Sequence, residues 1–421
     1  MATLKTIKEL GDIRGKKVLL RVDFNVPISK TDGKTITDDG RIRAELPTIK
    51  ELLAAGASVI IMTHLGRPKP QSAFEVESEF SLAPVAKRLN ELLNVSVEFA
   101  TDTVGEDARN KVEMLKSGQI LLLENLRFNQ AETSKDALQR AEFAQKLADM
   151  ADIFVSDGFG VVHRKHTSVY DVAKLLPAVS GKLVQKEVEA LSKVMDNPGR
   201  PLTVVLGGSK VSDKLGVIVN LLKIADNILV GGGMAYTFLA VLGYEIGTSL
   251  LEADQIETVK GYIQQAKERN IKLLLPADVV VAKEFPASET GDAELEGVFV
   301  SDAIPADKMG LDIGPETRKQ FAQVIENSKT VIWNGPAGVF EKSAYAGGTS
   351  AIATALVHAK LKGAFTVIGG GDSAAAVRIL DNCETGKPFS EDDFSHISTG
   401  GGASLEFLEG IALPGIEVLS E

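Results

Sequence analysis

The sequence contains almost no cysteine. Cys383 is the only one in 421 residues, so the chain can form neither an intramolecular disulfide nor a cysteine-rich metal site. Secreted proteins commonly rely on disulfides, whereas the reducing cytosol keeps thiols free. We therefore expect a cytoplasmic protein.

Long apolar runs are also missing. Residues 227–244 carry no formal charge, but Gly231, Gly232 and Gly233 interrupt them at the centre. Such an interruption is typical of a strand, a turn and a helix rather than of a membrane span. Residues 1–10 alternate charged and apolar side chains and lack the apolar segment of a secretion signal. We expect no membrane association.

Positive charge is not in excess. Lys and Arg number 46 against 57 Asp and Glu, which gives a formal net charge of -11. This balance argues against nucleic acid as the main partner, although it permits a local basic pocket. The sequence also lacks a P-loop motif, low-complexity segments and repeats of 20–50 residues.

Short apolar runs alternate with amphipathic stretches along the whole chain, a pattern that predicts buried parallel strands covered by helices. The first series of runs covers residues 17–24, 58–64, 95–99, 120–127 and 153–159. The second series covers residues 202–208, 227–233, 271–282, 330–335 and 364–371. We therefore predict an α/β protein of two Rossmann-like domains, each a parallel sheet with helices on both faces.

A helix and hinge are expected to join the two domains. Residues 181–196 place apolar side chains on one helical face and end at an Asp-Asn-Pro-Gly-Arg-Pro stop signal. The predicted boundaries are residues 1–180, the helix at 181–196, and residues 197–404.

Polar residues follow the predicted strands of the first domain, where open α/β sheets bind ligands. They are rich in arginine and histidine, whose side chains suit a small phosphorylated or carboxylated anion. An alternative interpretation is that each is a solvated or capping residue. The set comprises Asp23, Asn25, Arg43, His64, Arg67, Arg127, Asp157, His163, Arg164 and His166.

The corresponding positions in the second domain are rich in glycine and lysine. Such loops allow a nucleotide and its phosphates to approach the backbone closely. Lys210 and Lys214 stand near the start of a predicted helix, where a bound polyanion would offset their unfavourable position. Plain surface lysines remain the alternative. The segments are residues 207–210, 231–233, 334–336 and 369–372.

Asp372 follows the glycines of a G-x-G-x-x-A pattern at residues 369–374. A carboxylate beside a pyrophosphate requires a cation, and Mg²⁺ would supply it. Residues 396–403 form another glycine loop before a helix, either an anion cradle or simply a helix start.

Taken in order, these segments resemble the signatures of the phosphoglycerate kinase family over essentially the whole chain. The matching segments are Arg21 to Pro27, His64 to Pro68, Leu122 to Phe128, Lys210 to Lys214, Gly231 to Tyr236, Asn334 to Pro336, Gly369 to Asp372 and His396 to Glu406. The resemblance implies reversible transfer of the acyl phosphate of 1,3-bisphosphoglycerate to MgADP, giving 3-phosphoglycerate and MgATP. It also implies a monomer, and a C-terminal segment, residues 405–421, that packs back onto the first domain.

The resemblance assigns residues to each substrate. The phosphoglycerate side would comprise Asp23, Phe24, Asn25, Arg43, His64, Leu65, Gly66, Arg67, Arg127 and Arg164. The nucleotide side would comprise Gly207, Lys210, Lys214, Gly231, Gly232, Gly233, Gly310, Asn334, Glu341, Gly370, Gly371, Asp372 and Ser373, with Asp372 at Mg²⁺. The catalytic groups would be Arg43, Lys210, Lys214 and the amides of Gly400 and Gly401.

Two other classes of protein share part of this pattern. A non-catalytic binding protein for a phosphorylated metabolite would need the arginines but would have no use for Asp372. A nucleotide-dependent dehydrogenase would explain the glycines at 369–371, but Asp392 and Asp393 lie in a polar loop rather than at a strand end. Formation of ATP would separate the three classes.

Overall fold

The computed structural model describes residues 4–29, 31–69, 75, 77–286, 297–300 and 302–420. The chain divides into two compact units. The first unit contains the chain up to Glu189 together with the residues from Ala412 onwards, and the second contains Ala190–Ile411.

The first unit is built on a six-stranded parallel sheet. Its strands are β1 (Lys17–Arg21), β2 (Ser58–Met62), β3 (Val97–Phe99), β4 (Ile120–Leu122), β5 (Ile153–Ser156) and β6 (Ala178–Ser180). The strand order is β3-β4-β2-β1-β5-β6. Its helices are α1 (Gly40–Ala54), α2 (Ala83–Leu93), α3 (Glu106–Met114), α4 (Ala137–Ala148), α5 (Lys182–Met195), which continues into the second unit, and the last helix, α13 (Pro414–Ser420).

Alternate side chains of these strands enter two separate cores. Val18 and Leu20 of β1 pack with residues of α1 and α2, whereas Leu19 packs with residues of α3, α4 and α13. Successive residues of a strand point to opposite faces, so a sheet covered on both sides needs apolar residues at every position. This requirement explains the continuous apolar runs.

The second unit contains another six-stranded parallel sheet. Its strands are β7 (Leu202–Leu206), β8 (Asn227–Val230), β9 (Lys272–Leu274), β13 (Thr330–Asn334), β14 (Phe365–Gly369) and β15 (His396–Ile397), in the order β15-β14-β13-β7-β8-β9. Its further helices are α6 (Leu215–Leu221), α7 (Ala235–Val241), α8 (Ile256–Glu268), α9 (Pro315–Glu326), α10 (Gly347–Leu361), α11 (Gly371–Ile379) and α12 (Gly402–Leu408). Residues 227–244 form a strand, a turn and a helix, as predicted.

The prediction of one strand over residues 271–282 is wrong. β9 ends at Leu274, and β10 (Asp278–Ala282) belongs to a separate antiparallel sheet with β11 (Val298–Val300) and β12 (Met309–Ile313). Pro276 has no N–H to continue the ladder. Beyond it, the amides of Ala277 and Asp278 donate to Thr317 Oγ1 over 2.9 and 3.1 Å.

The C-terminal segment completes the first unit, but its return begins at Ala412 rather than at residue 405. Helix α12 packs on α6 of the second unit, where Asn220 Nδ2 donates to Leu408 O over 2.8 Å. Beyond Ala412, the amide of Gly415 donates to Val162 O over 2.8 Å, and the Val418 and Leu419 side chains enter the core beside α4. Residue 421 lies outside the described residues.

Among the helices of the described residues, none has both the length and the apolar character that crossing a bilayer requires.

Replacing Leu419 by Ala should destabilise the first unit. Leu419 is 1% exposed, and deleting a buried leucine side chain typically costs about 2–5 kcal/mol. The free energy of unfolding, measured by chemical denaturation, checks this. Glu417→Ala on the same helix is the matched control, because Glu417 is exposed and its loss should change stability by less than about 0.5 kcal/mol. Equal stability of the two variants would contradict the packing of α13 described above.

Candidate active site

A buried cation lies at the carboxyl end of β1. Arg21 is 1% exposed, and its Nε donates to Ser168 Oγ over 2.8 Å. Ser168 Oγ in turn donates to Glu132 Oε1 over 2.6 Å, and the Ser168 amide donates to Glu132 Oε2 over 3.1 Å. Burial lowers the pKa of Arg21, while the negative charge of Glu132 acts in the opposite direction. Arg21, Ser168 and Glu132 thus form a polar network beneath the predicted site.

The loops that follow β1 and β2 are tied to each other. Asn25 Oδ1 accepts from the Gly66 amide over 2.8 Å, and the Phe24 amide donates to Thr63 Oγ1 over 2.9 Å. Asp23 Oδ2 lies 2.6 Å from a guanidinium nitrogen of Arg41. Hydrogen bonds therefore hold Asp23, Asn25 and Gly66 together beyond the ends of neighbouring strands.

Two of the predicted substrate residues have side chains in the hydrophobic core. Phe24 is fully buried and Leu65 is 3% exposed. Only their main-chain groups can therefore contact a polar ligand.

Three of the predicted arginines meet at one cavity of about 450 Å³, a volume suited to a small metabolite. Arg127 donates to Gly66 O over 2.5 Å, and Arg164 Nε donates to His163 Nε2 over 2.9 Å. These hydrogen bonds restrict the guanidinium groups before any ligand binds. The lining residues are Arg67, Pro68, Arg127, Gln130, Thr133, Arg164 and His166.

The histidines at this cavity are neutral at pH 7. Burial, followed by the charges of Arg21, Arg127 and Arg164, lowers the pKa of His166 to about 3. Burial and Arg164 lower the pKa of His163 to about 4. Burial and the neighbouring Arg21 and Arg164 also lower the pKa of Arg127 to about 10. The cavity therefore concentrates positive charge on arginine, and a bound dianion would relieve the repulsion between these groups.

His64 is also neutral and has a defined tautomer. Burial, then Arg21, lowers its pKa well below the usual range. A guanidinium nitrogen of Arg21 lies 3.3 Å from His64 Nδ1. Because arginine can only donate, Nδ1 is the acceptor, and Nε2 carries the proton that a ligand could receive as a hydrogen bond.

Arg43 lies apart from the arginine cavity. Its side chain is 54% exposed, and its Nε donates to Asp39 Oδ1 over 2.8 Å. Asp39 also accepts from Arg88 over 2.7 Å. Arg43 is thus paired with a carboxylate and does not line the cavity of Arg67, Arg127 and Arg164.

In the second unit, three glycine-containing loops interlock at the carboxyl ends of β7, β8 and β13. The Gly207 amide donates to Asn334 O over 2.9 Å, and the Gly232 amide donates to Ala337 O over 2.9 Å. A Cβ atom on Gly207 would lie 2.1 Å from Pro336 O, and one on Gly232 would lie 2.6 Å from Gly208 O. The loops approach each other so closely that a side chain would clash at either position, and glycine is therefore required at both.

Lys214 is buried among these loops. It is 9% exposed, and its Nζ donates to Asn334 Oδ1. Burial lowers the pKa of Lys214, and the negative charge of Asp372 opposes that effect. Asn334 Nδ2 is buried without a hydrogen-bond partner in the described part of the chain, and Ser373 Oγ accepts from the Gly335 amide over 2.6 Å. Lys214, Asn334 and Asp372 thus form one polar group, with Ser373 beside it, whereas Lys210 is exposed.

The remaining residues predicted to bind the nucleotide differ in their exposure and in the space around their backbones. No atom lies within 4 Å of a Cβ position built on Gly371 or Gly401, so their backbones face open space. Gly310 contacts Tyr236, because a Cβ on Gly310 would lie 1.9 Å from the Tyr236 hydroxyl. The Gly400 amide already donates to Ser398 Oγ over 3.2 Å. Gly231 is buried, Gly233 and Gly370 are half-buried, and Glu341 is exposed.

Within the described residues, no group of three or more His, Cys, Asp or Glu side chains could hold a metal ion. Asp372 lies exposed in the first turn of α11 and offers one carboxylate.

Sequence reasoning missed the buried network of Arg21, Ser168 and Glu132. The available signal was an arginine directly after the apolar residues 18–20 of β1, because a charge in that position needs a buried partner. The partners Glu132 and Ser168 could not be identified, since both lie more than a hundred residues away from Arg21 along the chain.

The first α/β unit has an arginine cavity, and the second has lysine and glycine loops beside a carboxylate. This arrangement is the one expected of a kinase that acts on a small anionic metabolite. The family model for phosphoglycerate kinase matches residues 7–411. The chain therefore belongs to the phosphoglycerate kinase family, whose members are glycolytic phosphotransferases.

Known relatives agree with this assignment. Phosphoglycerate kinase of Bifidobacterium adolescentis is 61% identical over 416 residues, which are 99% of this chain and 100% of that protein. The enzyme of Streptomyces coelicolor is 55% identical over 420 residues, with 99% and 100% covered. The structure of phosphoglycerate kinase from Coxiella burnetii matches with a TM-score of 0.85 at 39% identity and covers 99% of both chains. The enzyme from Pyrococcus horikoshii has a TM-score of 0.81 at 32% identity and covers 99% of this chain and 98% of that one.

Proposed function

We propose that this chain transfers the acyl phosphate of 1,3-bisphosphoglycerate to MgADP reversibly, with 3-phosphoglycerate bound by the first unit and the nucleotide by the second. The observation that carries the proposal is the separation of two chemistries. The arginine cavity belongs to the first unit, and the group of Lys214, Asn334 and Asp372 belongs to the second. The corresponding substrate domains would be the two units described above: the chain up to Glu189 together with the residues from Ala412 onwards, and Ala190–Ile411.

The phosphoglycerate would occupy the arginine cavity. Arg67, Arg127 and Arg164 would bind the phosphate, since planar guanidinium groups can donate to it in pairs. Asp23, Asn25 and His64 would bind the acid and hydroxyl groups, with His64 donating from Nε2. The main chain from Phe24 to Asn25 and from Leu65 to Gly66 would complete this side.

The nucleotide would bind across the interlocked loops. Lys210 and Lys214 would contact phosphate oxygens. Asn334 Nδ2, which has no hydrogen-bond partner among the described residues, would supply a further donor. Backbone groups of residues 207, 231–233, 310 and 370–371 would line the site together with Ser373. Glu341 would accept from the ribose.

Mg²⁺ would arrive with the nucleotide. This ion commonly takes one or two carboxylates and completes its coordination with water and substrate phosphates. The single exposed carboxylate of Asp372 fits that pattern, and bound Mg²⁺ would neutralise part of the phosphate charge.

The reaction requires positioning and charge neutralisation rather than a covalent nucleophile. Arg43, Lys210 and the amides of Gly400 and Gly401 are assigned to the charge that develops on the transferring group. Arg43 would then have to exchange Asp39 for the substrate. Because Asp39 also accepts from Arg88, its charge would remain compensated after that exchange.

We further propose that the protein is a cytoplasmic monomer. The low cysteine content favours a reducing compartment. Analytical sedimentation would measure the oligomeric state, and a dimer would contradict the assignment as a monomer.

Arg43→Ala and Lys210→Ala should each lower the rate of ATP formation from 1,3-bisphosphoglycerate and MgADP by about 10²–10³, because each removes a donor to the charge that develops in the transition state. Both KM values should change much less. Lys50→Ala and Lys223→Ala are exposed controls expected to retain normal turnover. A wild-type chain that forms no ATP would refute the function, and a variant with near-normal turnover would exclude that residue from catalysis.

Asp372→Asn should weaken binding of MgADP while leaving binding of 3-phosphoglycerate almost unchanged. The substitution keeps the size of the side chain but removes the charge that would face Mg²⁺. Calorimetric titration with each ligand measures both affinities, and ADP without magnesium serves as the control ligand. An equal loss for 3-phosphoglycerate and MgADP would show that the metal site has been misplaced.

Binding of both substrates should bring the two units together through a hinge. In-line transfer requires reacting atoms about 3–3.5 Å apart, and the two substrates are assigned to different units. The radius of gyration from small-angle scattering should fall most when 3-phosphoglycerate and the nucleotide are both bound, and less with either alone. An unchanged radius under conditions of confirmed turnover would argue against closure.

A further inference from the structure

Two buried carboxyl groups lie beneath the Asp23 loop, the segment of residues 22–25 that follows β1. Glu45 of α1 is 1% exposed, and Asp157, which follows β5, is fully buried. Glu45 Oε1 accepts from the Asp23 amide over 3.1 Å. Asp157 Oδ1 accepts from the amides of Leu183 and Val184 over 2.8 and 3.1 Å, and thereby caps the first turn of α5.

Glu45 Oε2 and Asp157 Oδ2 are both buried and accept no hydrogen bond from the described residues. The two carboxyl groups interact with each other through their side chains, and Asp157 also interacts with the side chain of Thr48. Two carboxylates cannot both remain charged in such an environment, whereas a single proton would satisfy both orphan oxygens.

The surrounding charges determine which group holds that proton. Burial, then Asp157 from the end of β5, and finally Asp23 raise the pKa of Glu45 well above its ordinary value. Arg21 interacts electrostatically with Glu45, but it interacts with Glu132 and Asp23 as well. Arg41 on α1 is paired with Asp23. Asp157 has two amide donors at a helix N-terminus, where negative charge is favourable.

We propose that Glu45 holds a proton at neutral pH and donates it from Oε2 to Asp157 Oδ2, acting as a positioning residue for phosphoglycerate. Its other oxygen holds the Asp23 amide. Neutral Glu45 thus connects the Asp23 loop to the capped start of α5. Loss of the proton would place two negative charges side by side directly beneath the substrate loop. The positioning role rests on the proposed assignment of Asp23 and Asn25 to phosphoglycerate.

Glu45→Gln is a close mimic of the protonated acid. Its amide nitrogen can donate to Asp157 Oδ2, and its oxygen can accept from the Asp23 amide, but it cannot titrate. Glu45→Ala removes both interactions. Glu51→Gln, a half-buried carboxylate on the same helix that pairs with Lys182, is the matched control.

The first test is the pH dependence of unfolding. A carboxyl group whose pKa is raised in the folded state stabilises the protein fully below the ordinary value of 4.5 and loses that contribution as pH rises towards the folded-state pKa. The quantity to follow is the unfolding constant of the wild type divided by that of Glu45→Gln. From pH 5 to 7 this ratio should rise about tenfold per pH unit, because unfolding of the wild type releases one proton. Glu51→Gln should show no such trend against the wild type. A ratio that does not change with pH would show that Glu45 does not hold a proton at neutral pH.

The second test separates positioning from stability. At pH 7, Glu45→Ala should raise KM for 3-phosphoglycerate about 5–10-fold, the effect of one lost hydrogen bond, with little change in kcat or in KM for MgATP. Glu45→Gln should restore the wild-type KM. A normal KM in Glu45→Ala would overturn the positioning role even if the unfolding test succeeds. Asp23→Asn separates failure of the site assignment from failure of the Glu45 proposal. An unchanged KM in that variant would show that this loop does not bind phosphoglycerate.

Discussion

A parallel sheet buried on both faces leaves polar groups little space except beyond the ends of its strands. In the first unit, Val18, Leu19 and Leu20 are fully buried, with alternate residues in different cores. Charged groups therefore collect after the carboxyl ends, where loops from strands distant in sequence become neighbours. The arginine cavity of the first unit and the lysine and glycine loops of the second are both consequences of this constraint.

Concentrating charge beyond the strands has an energetic cost, which the protein offsets partly by pairing opposite charges and partly by keeping neighbouring groups neutral. Arg21 is compensated by Glu132 through Ser168, while His64 and His166 lose their protons beside the arginines. Beneath the same loops, Glu45 and Asp157 are positioned to share one proton. Buried charge is tolerated only where such compensation is complete. The layer of buried polar residues under the cavity is therefore as much a part of the site as the arginines that line it.

The fold class and most of the strands could be predicted from the sequence because fully buried strands produce uninterrupted apolar runs. The prediction failed at residues 271–282, where Pro276 divides one run between two sheets. The residues that surround the candidate site were also predictable where they lie at or shortly after the end of a strand, as Asn334 and Arg127 do. Glu45 and Glu132 were not, because each depends on a partner far away in sequence, and nothing local distinguishes a buried carboxyl group on a helix from a solvated one.

The return of the chain to the first unit affects the order in which the protein can fold during synthesis. Val418 and Leu419 enter a core whose other members, such as Leu19 and Phe154, precede the entire second unit in sequence. A ribosome thus makes Ala190–Ile411 before it delivers the last helix of the first unit. Until α13 has been synthesised, part of the apolar core of the first unit stays uncovered, whereas the second unit can already complete its own core. Although the first unit comes first along the chain, it is the last to close its core.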